Sequence, residues 1–323
     1  MSSSLEVAVS NLTSVAVLVF AFGFLAARIK SDVRLPDPIY QIISIYLLLG
    51  IGLKGGHALH GVSLEEFLLP AVGTIAIGLL IPVIAFFTLK WIRALSALDR
   101  GALAAHYGST SLVTFSAGLL FLENNLIEVE GFATALLTLL EIPGLIVGIY
   151  LGTRHNEVKV PWRATLLEVL LGKTVLLLAG GLLVGAITSD AGYDKVAPFF
   201  VDLQNGILVL FLLHLGFLAG NNWIEIKRVG LPVVFFGVSF PLLAGTIGAV
   251  VGTMTGLSVG GSAILALLAA SASYIAAPAA VSVAMPKANA SLALISSIGI
   301  TFPFNLLLGI PIYLEISKFI HGL

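Results

Sequence analysis

"AAHYGSTSLVTFSAG", residues 104–118, decides how this sequence is read. It lies in a segment apolar enough to span a bilayer. Yet it holds two glycines, a histidine, a tyrosine and the hydroxyls of Ser109, Thr110, Ser111, Thr114 and Ser116. A buried hydroxyl costs free energy unless it is hydrogen-bonded. So many at one depth need partners or a purpose. A second stretch, "AASASYIAAPAA" at 269–280, has the same small, polar character. Both stretches predict discontinuous helices.

The composition around them is that of an integral membrane protein. Of 323 residues, 58% are hydrophobic and 10% charged, and mean hydropathy is +1.08. A soluble domain carries roughly 25% charged residues. The formal net charge of −1 leaves no basic footprint for nucleic acid. The absence of cysteine excludes disulfides, zinc–thiolate sites and thiol catalysis. The N-terminal stretch lacks the positive region of a secretory signal, so the first apolar segment is expected to be a retained helix. Asn11-Leu12-Thr13 fits the glycosylation sequon, a pattern short enough to arise by chance.

A bilayer core takes about 20 apolar residues per helix. The chain offers ten such segments: 9–28, 38–56, 66–89, 101–121, 131–152, 164–187, 197–219, 229–253, 262–285 and 291–318. Basic residues gather after the odd-numbered segments: Arg28, Lys30 and Arg34; Lys90, Arg93 and Arg100; Arg154, Lys159 and Arg163; Lys227 and Arg228; Lys287. The even side receives Lys54, Lys195 and Lys318. Positive charge marks the cytoplasmic side, so both termini are expected on the non-cytoplasmic side.

The sequence also matches itself. "LLGIGLKGG" (48–56) resembles "LLHLGFLAG" (212–220), aligning Gly52 with Gly216 and Gly56 with Gly220. Leu69-Pro70 matches Leu231-Pro232, the two polar stretches face each other, and "IPGLIVGIY" (142–150) resembles "FPFNLLLGI" (302–310). The spacing stays between 160 and 165 residues, in order. The fold expected is therefore all-α, with ten transmembrane helices in two inverted five-helix repeats. Residues 1–152 form the first repeat, 153–163 a cytoplasmic connection, and 164–323 the second repeat. An odd number of spans per repeat inverts the second copy. Inverted repeats with helices interrupted at corresponding positions point to a secondary transporter and its binding site.

The chemistry of such breaks is specific. A half-helix N-terminus offers free N–H groups and partial positive charge to a small anion. Nearby carbonyls and hydroxyls suit a hard cation such as sodium. Ser109, Thr110, Ser111 and Thr114 line one side, and Ser271, Ser273 and the backbone from Ala276 to Pro278 the other. Pro278 is expected to interrupt the ninth span. Small residues also pack membrane helices closely, and that plainer reading holds for Gly50, Gly52, Gly55 and Gly56. Ionisable residues at membrane depth default to function. Glu141 suits sodium coordination, proton titration or a structural ion pair, and these remain open. Asn305 is a neutral oxygen donor beside Pro303. Glu168, Lys173, Asp202 and His214 read as structural, and His106 as a satisfied interior histidine.

Two other classes fit the sequence less well. An intramembrane hydrolase would use His106 and Ser109, three residues apart. But Gly108-Ser109-Thr110-Ser111-Leu112 fails the Gly-x-Ser-x-Gly elbow, and no His-Glu-x-x-His is present. A sensor or channel would have no evident use for the inversion. No nucleotide-binding loop is present, which leaves ion-driven transport.

Taken together, "AAHYGSTSLVTFSAG", "ALLTLLEIPGLIVGIYLG" (135–152), "ASASYIAAPAAVSVAMPKANASLAL" (270–294) and "GITFPFNLLLGIPIYLEI" (299–316) resemble the sodium-dependent bicarbonate transport family. The resemblance runs from about residue 15 to 315. It implies core and gate domains built from both halves, often a trimer, and sodium-coupled bicarbonate uptake across a cell inner membrane. Sodium is then the coupling ion, and no other cofactor is expected. By position, the resemblance matches Ser111 and Thr114 to hydroxyl positions of the family's first break, Ser271 and Ser273 to serines of its second, and Glu141 to an aspartate of the cyanobacterial members; the expected sodium ligands are Ser111, Thr114, Glu141, Ser273 and Asn305. Cyanobacterial members carry an aspartate after the serines of the second break, where this chain has Tyr274. They also carry a long insertion after span five and bind a PII-like regulator; here that connection is short. The alternative is an ion-coupled carrier of another small anion.

Overall fold

The computed structural model describes residues 4–154, 160–223, 225 and 230–323. Lys159, Lys227 and Arg228 of the charge pattern lie outside the described residues, as does much of the 153–163 connection. Among the described residues the regular structure is entirely helical.

The first half comprises α1 (Ser4–Leu12), α2 (Val15–Arg28), α3 (Asp37–His57), α4 (Leu64–Thr88), α5 (Ala97–Gly108), α6 (Leu112–Asn124) and α7 (Ala133–Thr153). The second comprises α8 (Trp162–Leu170), α9 (Lys173–Ile187), α10 (Pro198–Asn221), α11 (Leu231–Met254), α12 (Val259–Ala270), α13 (Ala276–Ala284) and α14 (Ala290–His321). Helix α10 opens on a π turn at Pro198–Asp202. Helix α14 contains two more, at Ile295–Thr301 and Asn305–Gly309. Sequence signals set several starts. Ser63 with Glu66, and Ser96 with Asp99, form reciprocal capping boxes, each satisfying two otherwise orphaned N–H groups.

Among the described residues, six helices are long and apolar enough to cross a membrane: α3, α4, α7, α10, α11 and α14. The pair α8–α9, bent by 48° at Leu171-Gly172, makes a seventh. The remaining three expected segments each fall on two shorter helices: α1–α2, α5–α6 and α12–α13. The bundle's outer faces expose Phe22, Leu25, Leu68, Leu176, Leu183 and Phe235. Exposed apolar area on that scale is incompatible with water and natural in lipid.

The halves interlock. Helix α2 packs most extensively on α10, and α3 on α9. Both pairs approach backbone to backbone: a side chain at Gly52 would meet Gly181, and one at Gly216 would meet the Phe20 carbonyl. Glycines four apart permit this proximity. Helix α5 packs on α7, and α11 on α12. Connections also bond across the halves. Asp99, in the first turn of α5, accepts from the Asn289 N–H before α14 at 2.8 Å. Glu130, before α7, accepts from the Ser258 N–H that starts α12. The Leu35 N–H, before α3, donates to His214 Nδ1 of α10 at 3.1 Å.

One expectation shifts in position. Pro278 does not break the ninth segment. The break is Ser271–Ile275, and Pro278 sits in the first turn of α13, where its missing N–H has no helical acceptor anyway. Lys173 lies inside the sixth expected span, as the first residue of α9, beside the bend. Asn11 of the sequon is buried, donating to the Leu306 and Leu307 carbonyls, both at 3.0 Å. The widened turn at Asn305–Gly309 takes in both residues.

Candidate functional site

The first break, Gly108–Ser111, separates α5 from α6. Its placement follows from glycine on both sides of a contact. Gly144 of α7 lies against the Gly108 carbonyl, and any Cβ there would overlap it. Gly148 lies as close to Ala105, and Gly101 to Gly152. The α7 backbone therefore runs flush along α5 and brings Glu141 to the break. Thr110 Oγ1 donates to Glu141 Oε2, and Ser109 lies beside the same carboxylate.

After the break, Ser111 caps α6. Its hydroxyl accepts from the Thr114 N–H at 3.2 Å and from the Thr114 hydroxyl at 2.9 Å, and it donates to Tyr274 Oη at 3.1 Å. Ser273, two residues before the N-cap Ile275, reaches the first turn of α13, accepting from the Ala277 N–H at 3.2 Å. Serine hydroxyls at a helix start satisfy donors that the helix cannot. Ala276 is the first residue of α13.

The two breaks are bonded to each other. The Ser111 N–H donates to Ser271 Oγ at 3.0 Å, and the Ser273 N–H to the His106 carbonyl at 2.8 Å. Asn305 closes the end of α12. Its amide nitrogen donates to the Ala270 carbonyl at 2.9 Å, while its amide oxygen accepts from Tyr313 at 2.9 Å. Tyr107, on the other side, bonds Thr301 at 2.6 Å, and Thr301 donates to the Gly237 carbonyl at 2.7 Å. Both of Thr301's contacts make the Tyr107 hydroxyl the donor, since Thr301 has one proton to give.

The residues singled out in the sequence thus fall into two sets. Ser111, Thr114, Ser271, Ser273 and Tyr274 form one connected set. Thr110 and Glu141 form a second, joined to the first through the chain at Thr110-Ser111. Ser109, Thr110, Ser111, Thr114, Ser271, Ser273, Tyr274, Glu141 and Asn305 expose at most 8% of their surface. The breaks are closed over in this conformation. Ser116 bonds back to the Leu112 carbonyl and takes no part. His106 departs from its reading as a satisfied histidine. Nδ1 donates to the Ala102 carbonyl at 2.8 Å, but Nε2, also buried, has no partner. An orphaned buried acceptor at a helix break is the kind of atom a ligand satisfies. Only the depth of His106 hinted at this in the sequence.

Toward the C-terminal end of α6, and lined by no residue of either break, lies a cavity of about 580 Å³. Asn11, Ser14, Phe121, Asn124, Asn205 and Leu306 are among its lining residues. It separates the α2 and α10 pair from α6 and α14, so it lies between elements that pack as distinct groups.

Among the described residues, an all-helical bundle with apolar outer faces is that of a multi-pass membrane protein. The chain belongs to the Na+-dependent bicarbonate transporter superfamily, whose family model matches residues 15–318. Among curated proteins, no relative matches.

Proposed function

We propose that this protein is a secondary transporter that couples sodium entry to bicarbonate uptake by alternating access. The observation that carries the reading is the pair of hydrogen bonds between the breaks, Ser111 N–H to Ser271 Oγ and Ser273 N–H to the His106 carbonyl. They bring two half-helix N-termini, α6 and α13, to one neighbourhood. Each contributes partial positive charge and N–H donors to a small anion. Bicarbonate carries acceptor oxygens for these donors and one O–H, for which His106 Nε2 is an acceptor. Sodium binds through Glu141, Thr110 and neighbouring hydroxyls and carbonyls, offsetting the anion's charge. With tyrosine at position 274, Glu141 is the acid of the site. The enzyme reading has no support beyond the spacing of His106 and Ser109.

The ten-span, inverted arrangement is part of this proposal. Contacts between connections support it, because they pair odd with odd and even with even. Asp99 to Asn289 joins the third and ninth connections. Glu130 to Ser258 joins the fourth and eighth. The α2, α3, α9 and α10 group then forms a gate, and the remaining helices a core that carries the site. On the charge pattern, the odd connections are cytoplasmic, both termini face out, and the membrane is a cell inner membrane. Assembly as a homotrimer and binding of a PII-like regulator belong to the same family-based expectation.

The test is uptake of labelled bicarbonate into proteoliposomes, with and without an inward sodium gradient. Sodium-stimulated uptake supports the reading. Uptake indifferent to sodium moves the coupling to protons. No uptake by folded protein assigns the scaffold to another small anion.

A further inference from the structure

We propose that His57, His60 and Asp190 form a binding site for one zinc-type divalent transition-metal ion, remote from the helix breaks. His57 ends α3, and a 3₁₀ turn at Ala58–Gly61 sets His60 three residues on. Asp190 opens a one-turn helix, Asp190–Asp194, just past α9. The ends of α3 and α9 are fixed relative to each other by backbone contact. A side chain at Gly56 would overlap the Leu182 carbonyl, and one at Gly185 the Leu53 carbonyl.

The three ligand atoms converge. His57 Nε2 lies 3.7 Å from Asp190 Oδ1, and His60 Nδ1 lies 3.8 Å from the same oxygen. All three lie within 4.8 Å of one another. Zinc bonds of roughly 2.0–2.1 Å in a tetrahedron put ligand atoms about 3.4 Å apart. The two contacts to Asp190 exceed this by about 0.3–0.4 Å, and the Asp190 side chain, 84% exposed, is free to close them.

Both rings are held in place. His60 Nε2 donates to the Ala186 carbonyl at 2.7 Å. That bond keeps the proton on Nε2 and leaves the Nδ1 lone pair facing Asp190. Metal-binding histidines are commonly oriented this way, by a carbonyl on the other nitrogen. His57 stacks on Tyr193, ring centres 3.8 Å apart and 7° from parallel. Exposed His–Asp ion pairs contribute little by themselves. That plainer reading gives no reason for two imidazoles to aim at one oxygen with one of them locked from behind. Two imidazole nitrogens, one carboxylate and an open fourth position suit zinc and its neighbours rather than calcium or magnesium. The ion would clip α3 to α9 at their ends.

The test uses the full chain in detergent, purified through a tag without histidine and stripped with chelator. Zinc chloride is titrated by calorimetry. The expected result is one ion per chain, with affinity at least about tenfold weaker in His60→Ala and in Asp190→Asn. His321→Ala, outside the cluster, should bind as the native chain does. Magnesium chloride should give no saturable heat. The proposal is overturned if the native chain binds zinc no more tightly than Asp190→Asn does. Asp190 is solvent-exposed, so this variant folds and decides the matter even if His60→Ala does not.

Discussion

The break at Gly108–Ser111 is walled by backbone and holds an acid; the break at Ser271–Ile275 is walled by side chains and holds a phenol. The similarities are those of copies. Each break ends a helix rich in alanine, and each following helix donates a first-turn N–H to its own serine, Ser111 or Ser273. The differences are chemical. Beside the first, Gly144 presses on the Gly108 carbonyl and Glu141 meets Thr110. Beside the second, Tyr274 packs edge-on against Phe302 at 5.7 Å and accepts a hydrogen bond from the Ser111 hydroxyl. On the proposed duplication, both helix ends favour an anion, and only the first break has a carboxylate at hand. The negative charge that would balance a cation is therefore on the first side.

The largest expected effect tests the walls. Gly144→Ala drives a Cβ into the backbone of the first break, which cannot move without dismantling it. We expect a loss of about 3 kcal/mol or more. Gly248→Ala, between α11 and α12, puts a Cβ 2.7 Å from the Leu265 carbonyl, a shallower collision expected to cost about 1–2 kcal/mol. Thermal melting of both variants in detergent checks the order. Equal shifts would erase the contrast.

Next is the acid. Glu141→Gln keeps shape and one hydrogen bond but removes the charge. Sodium-stimulated uptake should fall at least tenfold, about 1.4 kcal/mol, with melting temperature unchanged or raised because a buried charge is gone. Full sodium stimulation in this variant would show that the charge asymmetry has no role in coupling.

The serines come third. Ser111→Ala loses a cap and the link to Tyr274, whereas Ser273→Ala loses the bond to the Ala277 N–H alone. Each such bond at a helix start contributes about 1 kcal/mol. Uptake should drop in both at equal membrane abundance, and further in Ser111→Ala. The reverse order would place the more important anchor in the second repeat.

The smallest effect belongs to Tyr274→Phe. Losing one neutral hydrogen bond costs about 0.5–1.5 kcal/mol. A double-mutant cycle with Ser111→Ala, read by melting, should show coupling. Strict additivity would mean that the phenol and the serine act independently.

Much of the site was legible from residues 104–118 and 269–280, because hydroxyls crowded into an apolar segment have few explanations. The glycines read as packing residues behave so: Gly52 meets Gly181, Gly55 meets Thr134, and Gly56 meets Leu182. Spacing within one helix reports its own face, and glycine four apart reports a close neighbour. The sequence hid partners far apart in the chain. Asp190 lies far from His57 and His60, and only the α3–α9 crossing unites them. Asn305 bonds the Ala270 carbonyl and the Tyr313 hydroxyl, partners that no local pattern indicates. Pro278 was misplaced because a proline breaks a helix or begins it depending on where the first turn falls, and that turn is set by Ser273. The bend at Leu171-Gly172 carries no proline at all.

On the proposed duplication, the wide turns record how two copies of a sequence drift apart. A π turn closes on the fifth residue rather than the fourth, so it takes in one residue more while the helix carries on. Among the described residues, all three lie in the second half, in α10 and α14; their counterparts α3 and α7 are α-helical throughout. An insertion absorbed in this way rotates the rest of the helix by about 100°, yet leaves it between the same neighbours. The match between the halves must therefore slip inside helices, not only in loops. A comparison that allows gaps only between helices will misalign the most constrained parts of this molecule.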